Sequence, residues 1–213
     1  MNAPANRIPR TVTVAIIVVT CLAWVAASLF GWQDRAVAAL GFIPARLDGL
    51  IRVVPAVPAA LTPLTATLVH GGILHLGFNM LMLGWCGTQV ERVLGRTGLI
   101  VLYVIGAFAA AGAQWLSNPH GLMPMIGASG AISAVIGAFA LSFGRAKQVT
   151  SSSRVNRWIH VAWLLAAWIV LEVMIGWTAG GQGYLLATPA HIGGFIAGIV
   201  LQRPLLLWRY RNA

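Results

Sequence analysis

The chain has 213 residues, of which 59% are hydrophobic and only 8% are charged, and its formal net charge is +10. This composition excludes an ordinary soluble domain, in which about a quarter of the residues are charged. The basic residues are spread along the chain rather than gathered in one patch, so the positive charge does not indicate nucleic-acid binding.

Six predominantly apolar windows predict an all-α membrane protein with six spanning helices. Each window is close to the roughly 20 residues that a helix needs to cross a bilayer. A β-barrel is excluded because the apolar runs do not alternate with period two. The windows cover residues 11–30, 71–89, 97–116, 127–143, 157–177 and 188–207.

The distribution of Lys and Arg predicts the orientation of these helices, because cytoplasmic segments are enriched in basic residues. With a cytoplasmic N-terminus, eleven of the fourteen basic residues are cytoplasmic and three are outside. Both termini are then cytoplasmic. We expect a tail at residues 1–10, a six-span domain at 11–207 and a second tail at 208–213, in the plasma membrane or, in a cell with two membranes, the inner one.

The segment between the first and second windows is unusually long. Residues 31–69 contain four prolines among apolar residues, so they cannot form one regular helix. On the outer face of the membrane, such a segment is expected to lie partly in the interface.

The second window begins with two histidines and an asparagine. His75 and Asn79 are four residues apart, so they share one helix face and can direct hydrogen-bond donors at a single point. Alternatively, these side chains only connect helices by hydrogen bonds. A zinc site is not expected, because His70 and His75 are five residues apart and no acidic ligand is near.

The fourth window begins with Gly127-Ala128-Ser129-Gly130. A serine at a helix start can be a simple N-cap. It can also be a nucleophile beside free backbone N–H groups. A third alternative is that the glycines belong to a small-residue packing motif, which is common in membrane helices.

The sixth window places His191 one turn before small residues that allow close approach to the fourth window. That contact would bring His191 beside Ser129, where an imidazole can take the proton of the hydroxyl. The facing positions are Gly194 and Gly198 in the sixth window and Gly130, Ala134 and Ala138 in the fourth.

A full catalytic triad is not expected, because Asp34, Asp48 and Glu91 are all predicted in loops. Glu172 in the fifth window is the remaining candidate for a catalytic acid. Because it lies within about two turns of the outer end of its span, packing, hydration at the outer rim or gating is favoured over a catalytic role. The fifth window is either a gate for substrate or a lipid-facing aromatic helix. Its tryptophans are Trp158, Trp163, Trp168 and Trp177.

Together these motifs resemble the rhomboid intramembrane serine proteases. The family carries His-x4-His-x3-Asn in the second span, Gly-x-Ser-Gly at the start of the fourth and Ala-His-x2-Gly-x3-Gly in the sixth. Each element alone is weak, but their order and spacing are specific, and the resemblance extends from about residue 70 to the C-terminus. The matching residues are His70, His75, Asn79, Gly127, Ser129, Gly130, Ala190, His191, Gly194 and Gly198.

The resemblance implies an endopeptidase, without cofactor or metal, that cuts single-span membrane proteins in or near their transmembrane segment. Ser129 would be the nucleophile, and His191 would act as general base and then as general acid. The active site would open to the outer face. The implied oxyanion hole is His75, Asn79 and the Ser129 N–H, and the implied supporting residues are His70, Gly127, Gly130 and Gly194.

One feature departs from the family pattern. Many rhomboids carry a Trp-Arg pair in the first outer loop, and residues 31–69 contain none. The pair is structural in the family, so its absence concerns loop docking rather than the chemistry.

Two alternatives belong to other functional classes. One is a catalytically silent rhomboid-like protein that binds membrane client proteins; such relatives usually lack the serine or the histidine, and this chain keeps both. The other is a channel or carrier, which would spread polar groups along the depth of the bundle, whereas these cluster at one level.

Overall fold

The computed structural model describes residues 12–143, 148–178 and 187–211, with no side chains described for residues 175–178. This part of the chain is helical, and its one β-bridge joins Phe42 and Met125. The helices are α1 (Val12–Leu29), α2 (Gln33–Leu40), α3 (Pro44–Leu47), α4 (Thr62–Thr65), α5 (Ile73–Met82), α6 (Thr88–Ser117), α7 (Ser129–Phe143), α8 (Ser153–Thr178) and α9 (Thr188–Arg209).

Four helical stretches in the described residues are long and apolar enough to cross a membrane. They are α1, the 45-residue stretch Ile73–Ser117, the part of α8 from Ser153 to Met174, and α9. The second stretch combines α5, a π-helical turn at Leu83–Gly87, and α6. The apolar helix α7 is shorter, with 15 residues.

The 45-residue stretch is not one straight helix. Gly95 has φ +77° and ψ 171°, so the backbone leaves helical geometry inside α6. Only glycine adopts a positive φ without steric cost. The break lies between the second and third apolar windows, where the sequence predicts a connection.

Helices α6, α7 and α9 pack against one another and form the centre of the bundle. Every residue of α7 from Ser129 to Ala138 is buried. A Cβ atom at Gly194 would collide with the carbonyl oxygen of Gly130, and one at Gly198 would collide with that of Ala134. The predicted close approach of the fourth and sixth windows is therefore confirmed.

The segment from residue 31 to 69 contains α2, α3, α4 and two 3-10 turns, so it is divided as its prolines predict. It packs on the chain that leads into α7. Phe42 and Met125 exchange backbone hydrogen bonds of 3.0 and 2.7 Å, and the Gly127 N–H donates to the Ala66 carbonyl at 3.0 Å. These bonds fix the backbone just before Ser129.

The turn at Gly95 anchors both ends of the described chain. The Glu91 carboxylate accepts hydrogen bonds from the N–H groups of Val12 and Thr13, at 2.9 and 3.0 Å, and from the Thr13 hydroxyl at 2.7 Å. At the other end, Arg209 donates to the Arg92 carbonyl at 2.6 Å. Helix α1 and the last turn of α9 are thus both fastened to α6.

Several sequence predictions differ from these helix bounds. Asp34 and Glu91, predicted in loops, lie in α2 and α6. Long apolar windows do not reveal short helices, nor helical turns that contain polar residues. Helix α9 continues to Arg209, beyond the predicted end of the spanning domain at residue 207. The predicted tail at residues 1–10 lies outside the described residues.

Candidate active site

Two helix starts bring a serine and a histidine together. Ser129 is the first residue of α7, and His191 lies in the first turn of α9. The Nε2 atom of His191 is 2.8 Å from the Ser129 hydroxyl oxygen. Both residues are buried, with 5% and 3% of their surfaces exposed. The imidazole is therefore within proton-transfer distance of the hydroxyl.

A third polar group, the carboxylate of Glu172 on α8, reaches the same histidine. Its Oε2 atom lies 3.6 Å from His191 Nε2, and the residue is buried. Within the described residues, His191 Nδ1 has no hydrogen-bond partner. In a catalytic triad the acid holds the histidine nitrogen opposite the nucleophile. Glu172 instead approaches the nitrogen that faces Ser129, so the geometry is that of a candidate Ser-His dyad with a nearby acid and not that of a triad.

Helix α5 supplies the two residues predicted for the oxyanion hole. The half-buried His75 ring points toward Gly127, where a Cβ atom would be only 2.7 Å from His75 Nε2 and 3.8 Å from Ser129 Oγ. Gly127 also has φ +106°. The space left by its missing side chain therefore lies between the His75 ring and the Ser129 hydroxyl.

Asn79 is fully buried one turn below His75 on α5. Its Nδ2 atom donates to the His75 carbonyl at 3.0 Å. An amide nitrogen carries two hydrogens, so one of them is used within the helix.

The sequence predicts that His70 and His75 lie on one helix, and this is wrong for His70. His70 lies three residues before the helix that carries His75 begins. Glycines at 71 and 72 separate it from α5. It is fully buried, and its Nε2 accepts a hydrogen bond from the Ala128 N–H at 3.4 Å. Its ring meets the His75 ring edge-on at 4.9 Å. His70 thus connects the backbone beside Ser129 to the His75 ring.

The supporting glycines serve close helix packing around the serine. A Cβ atom at Gly130 would lie 2.6 Å from the Ala110 Cβ on α6, and Gly194 faces the Gly130 carbonyl. No group of three His, Cys, Asp or Glu side chains is placed to hold a metal ion in the part of the chain that the structure describes.

Sequence reasoning missed a hydrogen-bonded layer behind the serine. The Ser133 hydroxyl donates to the Ser129 carbonyl at 2.7 Å and accepts from the Trp168 indole at 2.8 Å. The Trp168 ring stacks on Phe78 at 5.5 Å and meets the His191 ring edge-on at 6.2 Å. Trp168 thus joins α8 to three other helices, α5, α7 and α9.

The lipid-facing interpretation of the fifth window is wrong for Trp168, which is only 2% exposed, although Trp158 and Trp163 are exposed. The side chain of Trp177 lies outside the described residues. Trp168 and Glu172 are four residues apart and therefore share one face of α8. This spacing could have indicated an inward-facing side of the helix, but not which residues that side meets.

Comparison with known proteins agrees with this architecture. The family model of the rhomboid domain matches residues 59–208. The chain is 30% identical to RHOMBOID-like protein 5 of Arabidopsis thaliana, Rhomboid protease GluP of Bacillus subtilis and Rhomboid protease GlpG of Photorhabdus laumondii, over 139, 135 and 149 residues.

These alignments cover 65%, 63% and 70% of this chain, and 42%, 24% and 47% of the relatives. The chain thus spans between about a quarter and about half of the length of these relatives. The family match includes all the residues that the site brings together, from His70 to His191. The family match covers most of the chain, and four of its helical stretches are apolar enough to cross a membrane. The protein is therefore a member of the rhomboid family of membrane proteins.

Proposed function

We propose that this protein is a serine endopeptidase that hydrolyses peptide bonds in or near the transmembrane segment of single-span membrane proteins. The observation that carries the proposal is the buried 2.8 Å contact between Ser129 Oγ and His191 Nε2. A serine hydroxyl is a weak nucleophile unless an adjacent base takes its proton. The names of the GluP and GlpG relatives, which are both called rhomboid proteases, support the same activity.

The reaction would proceed through an acyl-enzyme. Ser129 Oγ attacks the carbonyl carbon of the scissile bond while its proton moves to His191 Nε2. The protonated imidazole then gives that proton to the leaving nitrogen as the C–N bond breaks. In the second half, His191 takes a proton from water, the resulting hydroxide attacks the ester, and the proton returns to Ser129 Oγ.

The negative oxygen of each tetrahedral intermediate would occupy the space beside Gly127. The donors proposed for it are the Ser129 N–H, at a helix N-terminus, the His75 ring and the second N–H of the Asn79 amide. His70 accepts the Ala128 N–H and contacts the His75 ring. It would therefore keep the backbone before Ser129 and the His75 ring in position around the oxyanion. Gly130 and Gly194 would hold the dyad helices close enough for the contact.

Glu172 would assist without being essential. When His191 accepts the serine proton it becomes positively charged, and a carboxylate 3.6 Å from Nε2 stabilises that charge. Since Ser129 and Glu172 approach the same nitrogen, the carboxylate also competes with the leaving group for the proton. We therefore expect Glu172 to tune the rate rather than to determine it.

The proposed topology has six spans with both termini in the cytoplasm. The break at Gly95 supports counting Ile73–Ser117 as two spans. Ser129 and His191 lie at the starts of α7 and α9, and His75 lies at the start of α5, so these three helices would begin on the same side. The excess of Lys and Arg in the segments predicted to be cytoplasmic would make that side the outer face of the plasma membrane. The substrates would be membrane proteins rather than nucleic acids.

The test is cleavage of a panel of single-span substrates by the purified protein in liposomes. Wild type is compared with Ser129→Ala and His191→Ala, and Ser142→Ala is the matched control because Ser142 lies on α7 but bonds to Gln202. We expect wild type and the control to cut and both dyad variants to be silent while still folded by thermal melting. Equal cutting by all four would reveal a contaminant. Folded wild type that binds the panel but cuts no member would favour a silent client-binding rhomboid-like protein.

A further inference from the structure

A cavity lies between three of the helices that form the candidate active site, at their opposite ends. This basal cleft has a volume of about 650 Å³ and lies between the end of α7, the start of α8 and the second half of α9. Its lining includes Arg154, Arg157, Trp158, Ile199, Gln202 and Arg203. Ser129 and the cleft residue Leu141 are twelve positions apart on α7, which is about 18 Å along a helix.

The basal cleft is positively charged and has no acidic partner. Three arginines line it, and no carboxylate does. The chain has only four acidic residues, and each lies elsewhere. Glu91 binds the start of α1, Glu172 is beside His191, Asp48 accepts from the Trp115 indole, and Asp34 lies in α2. These three exposed guanidinium groups therefore present their positive charge to an external anion.

Part of the lining of the cleft is apolar. Ile199 and the exposed indole of Trp158 stand beside the arginines, and Gln202 adds an amide. Arginine forms paired hydrogen bonds with phosphate oxygens, and tryptophan favours the boundary between headgroups and acyl chains. Arginines near the end of a spanning bundle lie at the level of the lipid headgroups.

We propose that the basal cleft binds an anionic phospholipid, with the phosphate held by Arg154, Arg157 and Arg203 and the acyl chain lying along Ile199 and Trp158. The apolar residues of the lining favour a lipid over free phosphate, because free phosphate gains nothing from contact with them. A bound lipid would join α8 to α7 and α9 at the end opposite the dyad. This inference does not depend on the proteolytic activity.

The experiment measures lipid binding to the purified full chain in a neutral detergent. Phosphatidylglycerol, phosphatidylcholine and inorganic phosphate are titrated separately, with binding followed by native mass spectrometry and thermal unfolding. We expect phosphatidylglycerol to bind and to raise the melting temperature more than phosphatidylcholine does. The paired variant Arg157→Gln/Arg203→Gln should bind phosphatidylglycerol at least about tenfold more weakly.

Two further variants separate the cleft from general charge and from misfolding. Arg35→Gln/Arg52→Gln removes two exposed arginines of the segment from residue 31 to 69 and should leave the affinity unchanged. Arg157→Lys/Arg203→Lys keeps the charge and should retain most of the binding. Equal affinity for the two lipids, equal loss in the Arg35/Arg52 variant, or stabilisation by inorganic phosphate that matches the lipid would each overturn the proposal.

Discussion

The geometry beside Ser129 depends on a glycine without a side chain and on a nearby acidic residue. Gly127 leaves a gap between the His75 ring and the serine hydroxyl, and Glu172 brings a carboxylate to the dyad histidine. Neither residue is the nucleophile or the general base of the proposed mechanism. Both nevertheless determine what the serine and the histidine meet during the proposed reaction, so each can be tested by a small substitution.

Replacing Gly127 with alanine should reduce cleavage by about a hundredfold or more, because the new methyl group would occupy the space proposed for the oxyanion. It would lie 2.7 Å from His75 Nε2, on a backbone with φ +106°. The measurement is kcat/KM on a single-span substrate, with thermal melting to verify folding. Gly77→Ala is the control, since a Cβ atom there meets nothing within 4 Å. Unchanged activity in Gly127→Ala would show that the oxyanion does not lie beside Gly127.

Glu172→Gln should lower kcat by about 5- to 30-fold and leave KM nearly unchanged. The amide keeps the shape but loses the charge that stabilises the imidazolium, an effect of about 1–2 kcal/mol. Asp34→Asn in α2 is the control for loss of one negative charge. A wild-type kcat in Glu172→Gln would show that the carboxylate 3.6 Å from His191 Nε2 has no kinetic role. A loss of activity as complete as that of Ser129→Ala would show that the acid is essential.

At the residue scale, the sequence predicts contacts that follow from spacing on one helix or from small-residue packing. The pairing of His75 with Asn79, and the approach of Gly194 to Gly130, are of this kind. The proximity of Glu172 and Trp168 to the dyad could not be predicted, because it depends on how α8 is rotated against its neighbours. The position of His70 off the helix depends on where α5 begins, and apolar windows do not define helix starts.

At the scale of the elements, α7 and α9 are held together by small residues, and α8 is held mainly by side chains. Helices in lipid associate through close van der Waals packing, since burial of apolar surface gives little advantage over contact with acyl chains. Glycine positions therefore have a large effect on stability. Long apolar windows in the sequence predict such helices well, but α2, α3 and α4 are too short to give an apolar window.

Gly198→Ala should destabilise the protein by about 1–3 kcal/mol, because the added methyl group forces two backbones apart. The methyl group would collide with the carbonyl group of Ala134. Gly112→Ala on α6 is the control, since nothing lies within 4 Å of its Cβ position and alanine favours helices. Melting temperatures in detergent compare the two variants. A control that loses as much stability as Gly198→Ala would contradict the packing argument.

At the scale of the whole molecule, the two ends of the bundle differ in chemistry. One end carries the serine, the histidines and the acid near the starts of α5, α7 and α9. The opposite end carries Arg209 on the turn at Gly95 and the three arginines of the basal cleft. This asymmetry is the structural counterpart of the uneven distribution of basic residues in the sequence, and it makes a definite prediction about orientation.

Single cysteines at the two ends should react with a membrane-impermeant maleimide from opposite sides. In a background of Cys21→Ala and Cys86→Ala, which removes both natural thiols, Leu122→Cys lies before α7, and Ser151→Cys lies before α8. Positive-inside orientation predicts labelling of Leu122→Cys in whole cells and of Ser151→Cys only in inverted vesicles. Both positions are exposed on the protein surface, so failure to label does not reflect burial inside the bundle. The reverse pattern would place the dyad on the cytoplasmic side, and the substrates proposed for it would have to present their scissile bond there.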